Sequence, residues 1–290
     1  MTDRTEEAWR LLHTPVGARG SGRIRYGAAM ALYQAGALSV AELEVYRAAS
    51  ARVSRDPAHL LVAGRVPLTE PPARDGPAAI TNLVVEADRY IATLPGDGPV
   101  EVRQGMARWS AGPVAPLHAR AHPVVAAHLP AALADLAPTH PALAAALAAA
   151  SRLLAWAPYD RYPRDQIGNA FADGHAFASI MGDGAPLPAC DFELGLFLIA
   201  PHLLYRDHCH TAPELYAPLT GPHGWRFGPG RPLIVKPAHV PVWNPSYRPH
   251  LTKVGPVPFL CIFGWTRDVN DPARVIPADD WPRLEALRLG

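Results

Sequence analysis

Apolar residues recur at helical spacing in the first part of the chain. From Ile24 to Val53 they repeat every three or four residues on either side of Gly36, which predicts two helices joined by a turn. Ser39 and Glu42 have the spacing of a capping box, so the second helix is predicted to begin there. A third helix is predicted from Ala79 to Ala92, where the apolar positions again fall on one face.

The segment from Pro123 to Trp156 is rich in alanine and leucine and is interrupted by prolines. Because proline has no N–H group to donate within a helix, Pro130, Pro138 and Pro141 are expected to divide this segment into short helices. Residues 1–150 are therefore predicted to form a mainly helical region.

Past Trp156 the pattern changes to short unbroken apolar runs. Such runs extend from Leu194 to Ile199, from Leu233 to Val235 and from Phe259 to Phe263, and Pro and Gly residues bound them. These are the features of strands, and a spacing of about 8 to 14 residues without intervening helices favours an antiparallel sandwich or small barrel. Residues 151–290 are predicted to be this β domain, which makes the whole chain α+β.

The composition excludes several classes of partner. A net charge of +1 over 290 residues gives no broad electrostatic field for nucleic acid or for an anionic membrane. No stretch has the 18 or so apolar residues of a membrane span, and the first ten residues lack the pattern of a signal peptide. The three cysteines are odd in number and widely spaced, which fits a reduced compartment. We therefore expect a cytoplasmic protein.

The strongest chemical signal is an H-x-H-x-x-x-E motif formed by His208, His210 and Glu214. Residues two apart on a strand point to the same face, so both imidazoles are predicted to face inward, with Glu214 joining them from a neighbouring strand. Two imidazoles and a carboxylate suit one borderline divalent ion such as Zn, Fe(II), Mn, Ni or Co. A further ligand must come from a later strand, and His239 and His250 compete for this position.

From about Trp156 to Asp268 the chain resembles the cupin-type dimethylsulfoniopropionate lyases and their lyase-like relatives. The resemblance lies in the following segments: Leu194 to Pro201, Tyr205-x-x-His208-x-His210-x-x-x-Glu214-x-Tyr216, Gly224-Trp225, Pro245 to Thr252, Phe259-Leu260 and Trp265-Thr266. The two tyrosines of the second segment are its most diagnostic residues, because cupins in general do not require them. Two positions differ from the family pattern, since His202 and Tyr247 stand where glycine is usual.

The resemblance implies a cupin fold, a double-stranded β-helix closed into a small barrel. It also implies that the metal ligands are His208, His210, Glu214 and His250, because His250 follows a proline-led turn like the one that delivers the last cupin ligand. Tyr205 and Tyr216 are implied to lie beside the metal, with Tyr216 as the base that removes a substrate proton.

The implied reaction is β-elimination on a small carboxylate, which releases dimethyl sulfide and acrylate. A cationic sulfonium group would be held by aromatic faces, each contributing about 0.5 to 2 kcal/mol. The candidates for this contact are Trp225, Trp243, Tyr247 and Trp265.

Other functions remain open at this point. The same ligands would suit an Fe(II)-dependent dioxygenase, and the same base and metal would suit an isomerase of a small acid. A non-enzymatic alternative is a ligand sensor on a regulator, since the predicted helices of Ile24 to Ser54 loosely resemble a helix-turn-helix. Arginines outnumber acidic residues only slightly in this region, which is little positive charge for binding phosphates. Plain helical packing or a homodimer contact is therefore favoured.

Overall fold

The computed structural model describes residues 3–67, 69 and 76–290, and helices precede strands along the chain. The helices are α1 (Asp3–Leu12), α2 (Ser21–Gln34), α3 (Val40–Ala49), α4 (Pro57–Ala63), α5 (Gly76–Ile91), α6 (Asp97–Trp109), α7 (Pro123–Leu136), α8 (Pro141–Ser151), α9 (Arg164–Ile167), α10 (Asn169–Asp173) and α11 (Trp281–Ala286). The strands are β1 (His175–Gly182), β2 (Leu187–Pro188), β3 (Glu193–Ile199), β4 (Leu204–Cys209), β5 (Glu214–Pro218), β6 (His223–Arg226), β7 (Ile234–Lys236), β8 (Val242–Asn244), β9 (His250–Lys253), β10 (Phe259–Trp265) and β11 (Arg274–Val275). None of the described helices combines the length and apolar character that crossing a bilayer requires.

The chain forms two compact units, residues 1–74 with 137–145 and residues 75–136 with 146–290. In the first unit, α1, α2 and α3 bury a core that includes Trp9, Leu32 and Tyr46. The capping box of Ser39 and Glu42 is confirmed at the start of α3. The sequence division into 1–150 and 151–290 follows the change from helix to strand, whereas these units follow spatial contacts. As a statement about domains, that division stays a prediction.

Helix α7 runs from Pro123 to Leu136 through Pro130, so the prediction that Pro130 divides this segment is wrong. Proline removes one hydrogen bond from the helix interior. The burial of Leu129 and Ala132 on either side supplies apolar packing that stabilises the helix despite this loss. Pro141 begins α8, a position where its missing N–H group costs little.

Two sheets make up the β region, in agreement with the predicted cupin fold. The six-stranded sheet has the order β2-β1-β3-β10-β5-β8, and the five-stranded sheet has the order β11-β4-β9-β6-β7. Pairing is antiparallel throughout, except for the short parallel pair of β1 with β2. Aromatic side chains from both sheets, among them Phe197, Phe259 and Trp225, form the core between them.

Successive strands alternate between the sheets: β3 and β5 lie in the larger sheet, and β4 and β6 lie in the smaller one. The expectation that Glu214 lies on a strand neighbouring His208 is therefore wrong, because β4 and β5 belong to opposite sheets. The side chains of the two strands instead meet across the barrel interior. His210 follows the last residue of β4 rather than lying within it.

Helix α6 packs on the outer face of the six-stranded sheet at positions where glycine allows close approach. A Cβ atom on Gly264 would come within 2.6 Å of Val102, and one on Gly98 would come within 2.5 Å of the Trp243 ring. On the outer side of the five-stranded sheet, Arg226 forms a buried ion pair with Asp207 and a partly exposed one with Asp280. Both sheets are thus braced from outside, which holds the interior residues in place.

The two positions where the family has glycine keep a glycine-like backbone. His202 has φ 65° and Tyr247 has φ 61°, which is the left-handed region that side chains with a Cβ atom adopt at a cost. The N–H group of Tyr247 donates to the carbonyl of His210 at 2.8 Å, so this turn is tied directly to the motif strand. Both positions therefore have the backbone conformation that glycine favours, although neither residue is glycine.

We expect the protein to lose stability as the pH falls from about 6.5 to about 4, because burial lowers the pKa of both His175 and His223 to about 4. The folded state keeps these rings neutral while the unfolded state protonates them near 6.5. Each histidine therefore removes up to about 1.4 kcal/mol of stability per pH unit in this window. Chemical denaturation across this range measures the slope, which should be shallower in His175→Gln. The exposed His59→Gln serves as control, and an equal change of slope in both variants would contradict this origin.

Candidate metal centre and cavity

The structure brings His208, His210, Glu214 and His250 together in the barrel interior. One ring nitrogen from each of the three histidines lies within 4.8 Å of the corresponding atoms of the other two. The Glu214 Oε2 atom is 3.1 Å from His210 Nε2 and 3.3 Å from His250 Nε2. All four residues are at most 4% exposed. The four residues come from the end of β4, the residue after it, the start of β5 and the start of β9.

Backbone carbonyls fix the orientation of all three rings. The Nδ1 atoms of His208, His210 and His250 lie 2.8, 2.7 and 2.9 Å from the carbonyl oxygens of Arg206, Ala212 and Arg248. Because a carbonyl only accepts, each Nδ1 must carry the proton. This leaves Nε2 of each ring as the atom that faces the centre of the cluster, an arrangement common among metal-binding histidines.

Two buried polar atoms at this centre, Nε2 of His208 and Nε2 of His250, have no hydrogen-bond partner among the described residues. Leaving such atoms unpaired in a protein interior is costly, so their concentration at one point indicates a group that binds them. Unpaired imidazole nitrogens beside a carboxylate fit a borderline divalent ion.

The protonation states also fit a metal ion. Burial, together with the nearby His250 and His210, lowers the pKa of His208 well below its ordinary value, so this ring is neutral. Burial alone would raise the pKa of Glu214, but the two adjacent histidines outweigh it and hold the pKa below its ordinary value. A neutral imidazole and an ionised carboxylate are the forms that bind metals.

The structure places His239 outside this cluster. Its Nδ1 atom lies 3.2 Å from the hydroxyl of Tyr90 in α5, and Tyr90 also donates to the carbonyl of Pro218. Of the two histidines that competed for the last ligand position, His250 is the one in the cluster.

Both predicted site tyrosines lie next to the histidines. The Tyr205 ring stacks on His208 with 3.9 Å between ring centroids, and the Tyr216 ring is 6.0 Å from that of His250. The Tyr205 hydroxyl is hydrogen-bonded to the hydroxyl of Tyr162 at 2.8 Å. Burial raises the pKa of all three phenols well above 10.

The predicted substrate-binding aromatics are not together. Trp265 stacks near His210 with 4.7 Å between ring centroids, and its indole N–H donates to Glu214 Oε1 at 2.8 Å. Trp225 is buried in the barrel core, Trp243 packs on Gly98, and Tyr247 is 56% exposed in a loop. Only Trp265 of these four is among the described residues that line the cavity below.

A cavity of about 470 Å³ opens onto this site, a size typical of pockets for small ligands. The side chains of Tyr205, Glu214, Tyr216 and Trp265 line it. Its other lining residues include several that the sequence motif did not indicate: Tyr159, Arg161, Tyr162, Phe177, Glu193 and Phe263. One signal for these lining residues was available in the sequence. Side chains alternate between the two faces of a strand, so Glu193 and Phe197 of β3 point to the same face. No sequence signal distinguishes the loop of Tyr159 and Tyr162 from other surface loops.

Comparisons with known proteins point to one family. The family model for dimethylsulfoniopropionate lyase matches residues 104–261, more than half of the chain. The dimethylsulfoniopropionate lyase DddQ from Ruegeria pomeroyi is 23% identical, with a TM-score of 0.54 over 68% of this chain and 95% of that one. A chain from the crystal structures of the dimethylsulfoniopropionate lyases RdDddP and RnDddQII is 21% identical, with a TM-score of 0.53 over 70% of this chain and 100% of that one. These likenesses show the same fold. A search of curated proteins gave no match.

We expect Trp265→Phe to destabilise the metal-free protein by about 1 to 3 kcal/mol, because the buried carboxylate of Glu214 loses a donor that phenylalanine cannot replace. Urea denaturation in the presence of a chelator measures the change. Trp243→Phe is the comparison on the same sheet and removes a similar amount of ring. An equal loss in both variants would show that ring packing, rather than the hydrogen bond, accounts for the effect.

Proposed function

This chain belongs to the dimethylsulfoniopropionate lyase family, and from that premise we propose that it cleaves its substrate by metal-dependent β-elimination. The observation that carries the metal-dependent part is the set of buried, unpaired imidazole nitrogens facing Glu214 on the wall of a ligand-sized cavity. The products are dimethyl sulfide and acrylate. The substrate is a small molecule with a carboxylate at one end and a sulfonium group at the other.

The residues that would hold the ion are His208, His210, Glu214 and His250. A bound divalent ion acts as a Lewis acid that stabilises negative charge on the substrate carboxylate and on a nearby phenol. The ions that suit this donor set are Zn, Fe(II), Mn, Ni and Co, whereas Mg and Ca prefer sites made of oxygen atoms.

As a phenolate, the form that a bound divalent ion would favour, Tyr216 is placed to accept the proton from the carbon next to the carboxylate. Its ring lies beside His250 and lines the cavity, where substrate would be within reach. As this C–H bond breaks, a double bond forms to the next carbon and the C–S bond releases its electron pair to sulfur. The sulfonium leaves as neutral dimethyl sulfide, so the step needs no oxidant or reductant.

Tyr205 has a supporting role in this proposal. Its hydroxyl is hydrogen-bonded to the hydroxyl of Tyr162, and its ring stacks on His208. Tyr205 therefore holds the cavity wall in place on the histidine side. The two phenols line the same cavity from different segments, Tyr162 from the loop before α9 and Tyr205 from β4. Their hydrogen bond therefore ties this loop to the five-stranded sheet.

We expect His250→Ala to lose most of its bound metal, because it removes one of the proposed ligands from the buried cluster. Elemental analysis of protein purified without chelator gives the metal content per chain. His239→Ala is the matched control, since His239 lies outside the cluster. Full metal content in His250→Ala, or an equal loss in His239→Ala, would contradict the ligand assignment.

We expect Tyr216→Phe to retain its metal and to lower the turnover number by about 10²- to 10⁴-fold, the usual contribution of a positioned proton acceptor. Dimethyl sulfide and acrylate are measured under anaerobic conditions, with the exposed Tyr33→Phe as control. A variant with undiminished turnover would reject Tyr216 as the base. An absolute need for oxygen would instead favour the dioxygenase, and substrate conversion without a released fragment would favour the isomerase.

A further inference from the structure

Three neighbouring strands of the six-stranded sheet carry Glu193, Trp265 and Glu214 in one row. Trp265 is in register with Glu193 on β3 and with Glu214 on β5. Residues in register on adjacent strands share a face, and adjacent strands are about 4.8 Å apart. The backbones that carry the two carboxylates are therefore about 10 Å apart, on the same wall of the cavity.

Glu193 stands at the end of this row that is remote from the histidines. The Ser179 hydroxyl donates to its Oε1 atom at 2.5 Å. Among the described residues, no ion pair joins Glu193 to a basic side chain. Burial raises the pKa of this carboxyl group above its ordinary value and the charge of Glu214 adds to this shift, while the Ser179 hydrogen bond and the positive charge of Arg161 oppose it. A cation bound beside Glu193 would stabilise the ionised form of this buried carboxyl group.

Aromatic rings surround the same end of the cavity. Phe177 and Phe263 line it with 6.4 Å between their ring centroids. A Cβ atom on Gly195 would come within 2.5 Å of the Phe263 ring, so that ring lies over β3, one inward-facing position along from Glu193. A carboxylate flanked by aromatic faces is suited to an alkylated cation, which presents both charge and apolar surface.

We propose that Glu193 binds the cationic end of the substrate. The site would thereby select an onium carboxylate over a carboxylate of the same shape that lacks the positive charge. This inference rests on the proposed function, because the histidine end of the cavity is taken to receive the carboxylate. The arrangement is bipolar, with Glu193 at one end and the metal ligands at the other. It replaces the expectation that aromatic faces alone hold the sulfonium group.

The contact between Glu193 and the sulfonium group changes in strength during the reaction. The sulfur is cationic in the bound substrate and becomes neutral as the C–S bond breaks, so its attraction to Glu193 weakens toward the transition state. An interaction of this kind contributes to substrate binding rather than to the chemical step. Loss of the charge should therefore raise KM about tenfold without lowering kcat.

Two unreactive carboxylates test the proposal by calorimetry on the metal-loaded protein. N,N-dimethyl-β-alanine carries an ammonium group in place of the sulfonium, and isocaproate has the same branched shape without the positive charge. We expect the wild-type protein to bind N,N-dimethyl-β-alanine about tenfold more tightly than isocaproate. In Glu193→Gln this preference should disappear while isocaproate binds as before, and in Glu193→Asp most of it should remain.

Asp183→Asn is the matched control, because Asp183 is an exposed carboxylate near the rim of the cavity. If this variant lost the preference for N,N-dimethyl-β-alanine to the same extent, the effect would come from the overall electrostatic field of the cavity. That result would overturn the proposal. So would a wild-type protein that binds both compounds equally, or a Glu193→Gln variant that keeps its preference. If neither compound binds to the metal-loaded wild-type protein, the proposed function fails instead, which keeps the two failures distinct.

Discussion

The convergence of three imidazole rings on one carboxylate, inside an apolar barrel, is the constraint on which the rest of this structure depends. Each ring donates its Nδ1 proton to a backbone carbonyl, so its remaining nitrogen has to face the centre. Since His208 Nε2 and His250 Nε2 are buried without a partner among the described residues, a bound ion would satisfy both of them. Function and stability are therefore linked at this site.

Strand register extends this centre into a cavity with two chemically different ends. Trp265 occupies the middle of the row and donates its indole N–H to Glu214, so one residue both orients a proposed metal ligand and forms part of the cavity wall. Glu193 lies on the other side of Trp265. A substrate that carries opposite charges at its two ends matches this arrangement, which a site built from a single charged cluster would not offer.

The helices and the C-terminal segment support the barrel from outside. Helix α6 reaches the outer face of the six-stranded sheet only because Gly98 and Gly264 lack side chains there. The buried pairing of Arg226 with Asp207 anchors the opposite sheet just before the first histidine of the motif. Asp207 faces outward while its neighbour His208 faces the interior, so the outer ion pair fixes the strand that carries the metal site.

The sequence by itself determined which residues of a regular strand face inward, because strand alternation is a local property: it placed His208 with His210 and directed Tyr216 to the side of Glu214. Tyr205 lies three residues before His208 and shares its face only because the register shifts between them. It also determined the capped start of α3, but it failed at Pro130, where tertiary burial outweighs a lost hydrogen bond. Only the tertiary structure decided that the two halves of the motif lie in opposite sheets and that Glu193 lies beside Trp265. Register and sheet order depend on contacts between residues distant in sequence, and alternation carries no information about them.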